Sequence, residues 1–244
     1  GGRLFSATAG REMWSPVTPI PISPAPEPIA ATTPTFDAYA LGWEVRDYHG
    51  TRIVWHAGGL LGFTSIVCLI PEKNVGFAIE VNAEESEPRH GLMYELLDHY
   101  LGLPRQDWPQ RFHDYRAKRI VDAVATMKQT AATPAQVGPS LPLESYAGIY
   151  SDPWFGKLAI GSDARGLTVS FLPTAGMSGR LVHYQYDTFI AQFDDPGIEK
   201  AYLTFQLDAD GKVASISAKP VSPIADFSFD YKDLLFTPAP EPRK

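Results

Sequence analysis

Between Tyr39 and Asn82 the chain holds four runs of strand character, residues 40–48, 51–55, 63–70 and 75–82, with turn chemistry between them. His49-Gly50 suits a tight hairpin, and Pro71-Glu72-Lys73-Asn74 puts proline and asparagine where a turn uses them. Connections this short cannot carry a strand across to a parallel neighbour, so the runs are expected to form an antiparallel meander. Residues 89–101 then space Leu92, Leu96, Leu97, Tyr100 and Leu101 at helical intervals, and the pattern stops at Gly102 and Pro104. That apolar stripe is expected to lie on the sheet. The fold class read from this half is α+β, an antiparallel sheet flanked by helices.

The segments on either side are of different texture. After a short polar opening, residues 16–34 are dense in proline, which lacks the N–H and fixes φ, so an extended loop is expected there. Downstream, Asp107 is a candidate N-cap, Trp108-Pro109 a first turn, and a helical run continues through Ala131 until Thr133-Pro134. It reads as a connector. Beyond Pro142 come short alternating runs at 148–150, 157–160, 167–172, 181–186, 188–193, 201–207 and 213–218, a spacing that suggests a small all-β barrel or sandwich. Asp208-Ala209-Asp210-Gly211 reads as a hairpin turn, since an EF-hand loop needs further oxygen ligands and a closing glutamate. The expected domains are 1–105, a connector and linker at 106–140, a barrel at 141–236 and a tail at 237–244.

Charge and composition exclude several partners. A chain of 244 residues, 44% hydrophobic, can bury a real core. Its 28 acidic against 21 basic residues give a net charge of -7, and no basic run could track phosphates, so nucleic acid is not an expected partner. No apolar stretch reaches the roughly 18 residues that span a bilayer, and no signal peptide opens the chain. It begins Gly1-Gly2-Arg3 without Met, which leaves room for a leader upstream. Cys68 is the single cysteine, and its apolar alternating context reads as a small buried hydrophobe. Nor do the histidines offer metal spacing: His90 and His99 are nine apart and off one helical face, with His99 placed to pair with Glu95. His49 sits in a turn, and His113 and His183 have no ligand partner nearby. No metal and no cofactor are expected. Glu84, Glu85 and Glu87 read as a solvated cluster favoured by the helix dipole.

Chemistry concentrates in Trp55-His56-Ala57-Gly58-Gly59-Leu60-Leu61-Gly62-Phe63-Thr64-Ser65. Glycines at 58 and 59 let a ligand lie against the backbone, where N–H groups can serve as oxyanion donors. The alternative is a glycine-rich hairpin with an incidental histidine. The succession Tyr39-Ala40-Leu41-Gly42-Trp43, His56-Ala57-Gly58-Gly59, Gly62-Phe63-Thr64-Ser65, Leu69-Ile70-Pro71-Glu72 and Val81-Asn82 resembles the C-terminal half of class C β-lactamase-like serine hydrolases, in the β-lactamase and penicillin-binding-protein superfamily. The resemblance covers roughly residues 1–103, and Ser6 to Pro16 with Trp14 resembles the loop ahead of that family's sheet. It implies an edge strand lining an active site, with His56, Gly58 and Gly59 as catalytic parts. His56 would face the polar end of the substrate, Gly58 would permit close approach, and the Gly59 N–H would be one oxyanion donor. Ala57, Leu60, Leu61 and Trp14 would contact substrate.

The departures from the family are equally specific. Neither its Ser-x-x-Lys nucleophile motif nor a Tyr-x-Asn or Ser-x-Asn motif occurs in these residues, and Gly-x-Ser-x-Gly is also missing. The chain is therefore expected to be part of a longer hydrolase, inactive alone, with the nucleophile in a missing N-terminal half. A standalone noncatalytic small-ligand-binding module or pseudoenzyme is the alternative. Histidine where relatives carry lysine removes a permanent cation and favours an esterase or a peptidase acting on D-amino-acid-containing substrates over a dedicated β-lactamase. Small-molecule ester, amide or peptide substrates are the expected partners. Residues 141–236 resemble, more loosely, the lipocalin-like domain appended to such hydrolases, through Leu143-Glu144-Ser145-Tyr146-Ala147-Gly148-Ile149-Tyr150 and Asp187-Thr188-Phe189. The resemblance favours a periplasmic or secreted setting.

Overall fold

The computed structural model describes residues 4–60, 62–131, 137–225, 227–229 and 231–240. The chain divides into two compact units, Gly1–Arg119 and Ile120–Lys244.

The first unit opens with a helix, α1 (Ala7–Met13), where the sequence reading placed a polar loop. Its start is set locally: Ser6 is in extended conformation and its Oγ accepts the Ala9 N–H at 3.1 Å, satisfying one of the first-turn donors. Six strands follow, β1 (Thr18–Pro19), β2 (Asp37–Tyr39), β3 (Glu44–Tyr48), β4 (Thr51–Leu60), β5 (Phe63–Ile70) and β6 (Val75–Val81), with β-sheet order equal to chain order and every pair antiparallel. The meander is as expected, with two differences. The run 40–48 is broken by a turn at Leu41-Gly42, where Gly42 has φ 78° and the Ala40 N–H donates to Trp43 O at 2.7 Å. In addition, the proline-dense segment supplies the two-residue edge strand β1, and proline there keeps the edge too short to template further pairing.

Helix α2 (Glu87–Leu101) and residues 108–119 of helix α3 (Trp108–Ala131) complete the unit. Met93, Tyr94 and Leu97 of α2 pack with Trp108 and Phe112 of α3 against Ile53, Ile66, Cys68 and Ile70 of the sheet. Complete burial of Met93 and Leu97 contributes about 1.5–3 kcal/mol each. The buried stripe is rotated from the expected one: Leu92 and Tyr100 are exposed at 45% and 41%, while Asp98 is buried at 3%. Polar Asp98 belongs inside because Tyr48 Oη donates to it at 2.7 Å and Trp108 Nε1 at 2.6 Å, so its desolvation is compensated. Gly91 allows the two helices to meet, since a Cβ there would lie 2.9 Å from Pro109 Cα. Gly102, in the left-handed region at φ 68°, ends α2, and Asp107 Oδ1 starts α3 by accepting the Gln110 N–H at 3.2 Å.

In the second unit a 3-10 turn, Leu143–Tyr146, leads into β7 (Gly148–Asp152), β8 (Gly156–Asp163), β9 (Gly166–Phe171), β10 (Ser178–Gln185), β11 (Thr188–Phe193), β12 (Ala201–Leu207), β13 (Val213–Pro220) and β14 (Leu235–Pro238). Each strand pairs with the next and β14 returns to β7, closing an eight-stranded antiparallel barrel. Seven strands are legible as alternating runs. The eighth, only four residues long and ending in proline, carries too little periodicity to be seen, and it brings Thr237 and Pro238 of the expected tail into register with Ser151 and Tyr150. The interior is filled: Tyr146, Phe189 and Phe205 meet edge to face at 5.0–5.6 Å, all nearly inaccessible. Asp208 closes the β12–β13 turn, its Oδ1 accepting the N–H groups of Asp210 and Lys212 at 2.9 Å.

Candidate functional site

Alternation along β4 sorts its residues onto two faces. Ile53, Trp55 and Ala57 turn toward the helices and join the core there. Val54, on the other face, packs with Ala40, Val45, Trp14 and Trp43. His56 and Gly58 continue that second face, opposite Val67 and Ser65 of β5. With Ala78 and Glu80 of β6 they line a shallow cleft of about 250 Å³.

The strand that carries the motif is interior rather than an edge strand over its first half. β3 pairs with β4 only from Thr51 to Trp55, whereas β5 pairs with it from Val54 to Leu60. Past Trp55 no strand among the described residues pairs with the β3 side of β4, so residues 56–60 present an unpaired backbone edge beside the cleft. This arises because β3 is five residues long and β4 is ten. His56, Gly58 and Gly59 are all exposed, and a Cβ at Gly58 would reach within 3.4 Å of Ser65 Oγ, on the cleft side. His56 is held by Tyr39, whose Oη lies 3.1 Å from His56 Nε2. With Tyr39 as donor, the Nδ1–H remains free to face a ligand.

Of the remaining residues implied in substrate contact, Leu60 is 80% exposed at the end of β4, and Leu61 lies outside the described residues. Ala57 borders the cleft and also touches the helix-side core. Trp14 is elsewhere: it borders a different hollow, of about 560 Å³, with Leu4, Phe5, Arg11 and Arg52.

Behind the motif, α2 supplies supports that local spacing did not disclose. Arg89 Nη1 donates to Gly58 O at 3.1 Å and to Ser65 O at 2.7 Å. Glu84, expected to be merely solvated, accepts the Gly62 N–H at 3.0 Å; Glu85 and Glu87 pair with Arg116 and Arg119 at 2.9 and 3.1 Å. Glu95 pairs with Arg105 at 2.7 Å and not with His99, because the chain after Gly102 folds back along the helix. On the helix side of the sheet Asp37, Glu44 and Arg46 form a half-buried cluster, with Arg46 3.4 Å from Asp37 and 3.8 Å from Glu44. Burial raises the Glu44 carboxyl to about 7, with the Asp37 charge adding to the rise. Burial lowers His90 to about 4, helped by Arg89, and its Nδ1–H donates to Ser86 O at 2.9 Å. Among the described residues no group of three or more His, Cys, Asp or Glu could hold a metal ion, and no helix is long and apolar enough to cross a membrane.

Residues 21–94 match the β-lactamase family, and residues 132–238 match a domain of unknown function, DUF3471. The unguisins hydrolase ungD of Aspergillus violaceofuscus is 36% identical over 135 residues, covering 52% of this chain and 24% of that protein. The unguisins hydrolase ungD' of Aspergillus campestris is 33% identical over 168 residues, covering 64% and 29%. The chain thus spans about a quarter of the length of these curated relatives. Among solved structures, SurE with D-Leu aligns at a TM-score of 0.30 and 19% identity, over 88% of this chain and 42% of SurE. The octameric penicillin-binding protein homologue from Pyrococcus abyssi aligns at 0.33 and 15%, over 93% and 40%. The family match over residues 21–94 takes in the sheet strands β2 to β6 and the motif at His56-Ala57-Gly58, so this stretch of the chain is similar to the β-lactamase family.

Proposed function

We propose that this chain forms the substrate-facing wall of a serine hydrolase that cleaves small ester or amide substrates, including peptides with D-amino acids. The observation that carries the reading is the open half of β4, where His56 and Gly58 border one cleft and Gly59 leaves its backbone uncovered. In this reading the Gly59 N–H is one of the donors that stabilise charge developing on the carbonyl oxygen under attack. His56, held by Tyr39, gives a hydrogen bond to a polar group of the substrate. An imidazole, lacking the permanent cation of a lysine, suits an ester or a peptide amide better than the carboxylate of a β-lactam. The likeness to two proteins named as unguisins hydrolases supports a hydrolase, and the nucleophile would come from outside these 244 residues.

The test uses the whole protein. Turnover of a short-chain aryl ester, a D-amino-acid amide and a cephalosporin is compared, with fluorophosphonate labelling as the record of an active serine. Ester or D-amide turnover exceeding cephalosporin turnover is expected. Dominant cephalosporin hydrolysis overturns the substrate assignment, and a protein that neither labels nor turns over any of them overturns the enzyme reading in favour of a noncatalytic module.

A further inference from the structure

Gly58 and Gly59 leave the backbone accessible, and they also leave it loose, because glycine populates more of φ/ψ space than any other residue. A donor N–H in such a segment must be oriented by something else. The sheet does this only on the β5 side, since β3 ends opposite Trp55. Arg89 lies in the first turns of α2, is 6% exposed, and places Nη1 between Gly58 O and Ser65 O. These carbonyls belong to residues directly opposite each other in the β4–β5 ladder, so one nitrogen ties the two strands together at that rung.

The consequence follows from the peptide bond. Gly58 C=O and Gly59 N–H are parts of one planar group, pointing in opposite directions. Whatever fixes the carbonyl fixes the N–H, and a cation on the oxygen draws electron density from the nitrogen and strengthens the N–H as a donor. We infer that Arg89 is the positioning residue of the Gly59 N–H: it grips the Gly58 carbonyl from behind and thereby aims and polarises the amide beside the cleft. The inference rests on the proposed role of that amide and adds the group that sets it. Arg89 is itself placed by α2, whose neighbouring Glu87 is tied to Arg119 of α3, and the Glu84 carboxylate secures the Gly62 N–H at the far end of the hairpin. Among the described residues Arg89 Nε is buried without a hydrogen-bond partner, so the two carbonyls are what hold the guanidinium at this rung.

The test separates positioning from catalysis. The 15N order parameter of the Gly59 amide is measured by NMR relaxation in this chain for the parent, Arg89→Lys and Arg89→Met, with Val54 and Met93 amides as internal references and far-UV circular dichroism as the check on folding. Arg89→Met is expected to lower the Gly59 value from about 0.85, that of rigid backbone, toward about 0.6, that of flexible backbone, with the references unchanged. Arg89→Lys, which keeps a cation with less reach, is expected to fall between. An unchanged Gly59 order parameter in Arg89→Met overturns the inference, as does a loss spread equally to the references in both variants, which would mark a general structural role. In the whole protein, Arg89→Lys is expected to lower kcat for an aryl ester by about tenfold or more at little changed KM. A loosened Gly59 amide with unchanged kcat would leave Arg89 as the residue that positions the amide and sink the oxyanion role of Gly59 instead.

Discussion

Tyr39 and His56 are seventeen residues apart and on strands separated by β3, yet Tyr39 Oη reaches His56 Nε2 at 3.1 Å. The contact is possible because β3 stops at Glu44, so the tyrosine can lean past its end. Both side chains are exposed, and the bond therefore orients the imidazole more than it stabilises the fold. Tyr39→Phe is expected to change stability by less than about 0.5 kcal/mol in chemical denaturation. In the whole protein the same change should lower kcat/KM for an ester several-fold. An unaltered kcat/KM would remove Tyr39 from the site.

Asp98 ties the sheet to both helices by accepting from Tyr48 Oη and Trp108 Nε1. Burial first, and then the hydrogen bond to Asp98 and its charge, push the Tyr48 hydroxyl well above the usual range. Tyr48→Phe removes one donor and is expected to cost about 1.5–3 kcal/mol in urea denaturation, the range for hydrogen bonds to charged groups. Asp98→Ala leaves two buried donors without acceptors and should cost more than Tyr48→Phe. The reverse order would show that the aspartate is not the hub.

Two buried groups give stability opposite pH dependences. Glu44, ordinarily at 4.5, is raised to about 7 by burial, so the folded state holds its proton where the unfolded chain has lost it. Its contribution declines as pH rises from 4.5 to 7. His90, ordinarily at 6.5, is lowered to about 4, so the unfolded chain binds the proton first, and stability is lost as pH falls from 6.5 to 4. Glu44→Gln is expected to stabilise the protein at pH 8 relative to pH 4.5 by on the order of 2 kcal/mol, allowing for partial exposure, as read from denaturation midpoints at the two pH values. A Glu44→Gln effect that is equal at both pH values would show that the carboxyl is not protonated in the folded state near neutrality.

Gly179 in β10 is set against the backbone of β11: a Cβ there would fall 2.0 Å from Gln192 O and 2.7 Å from Phe193 Cα. Because backbone cannot swing aside as a flexible side chain can, Gly179→Ala is expected to cost about 2 kcal/mol or more. At Gly211, by contrast, nothing lies within 4 Å, and only its positive φ of 75° resists substitution, so Gly211→Asn should be mild. Thermal melts of the two variants compare them directly.

What the sequence by itself determined was the local grammar. Four runs with turns too short for crossovers dictated the antiparallel meander, Gly102 and Asp107 marked where one helix ends and the next begins, and seven of eight barrel strands showed as alternation. Turns, caps and alternation depend on neighbouring residues, so they are written in neighbouring letters. The His56-Ala57-Gly58-Gly59 stretch stood out as a candidate for the same reason, being one continuous run of residues. Its surroundings were decided by tertiary structure. Which side of α2 is buried turned on Asp98 finding Tyr48 and Trp108, fifty and ten residues away. The openness of the strand at 56–60 turned on β3 being shorter than β4. Arg89 behind Gly58, Tyr39 beside His56 and β14 closing the barrel are all pairings between distant segments. A hydrogen bond of that kind has no periodicity to announce it, because it forms only where packing has already brought the two groups within reach.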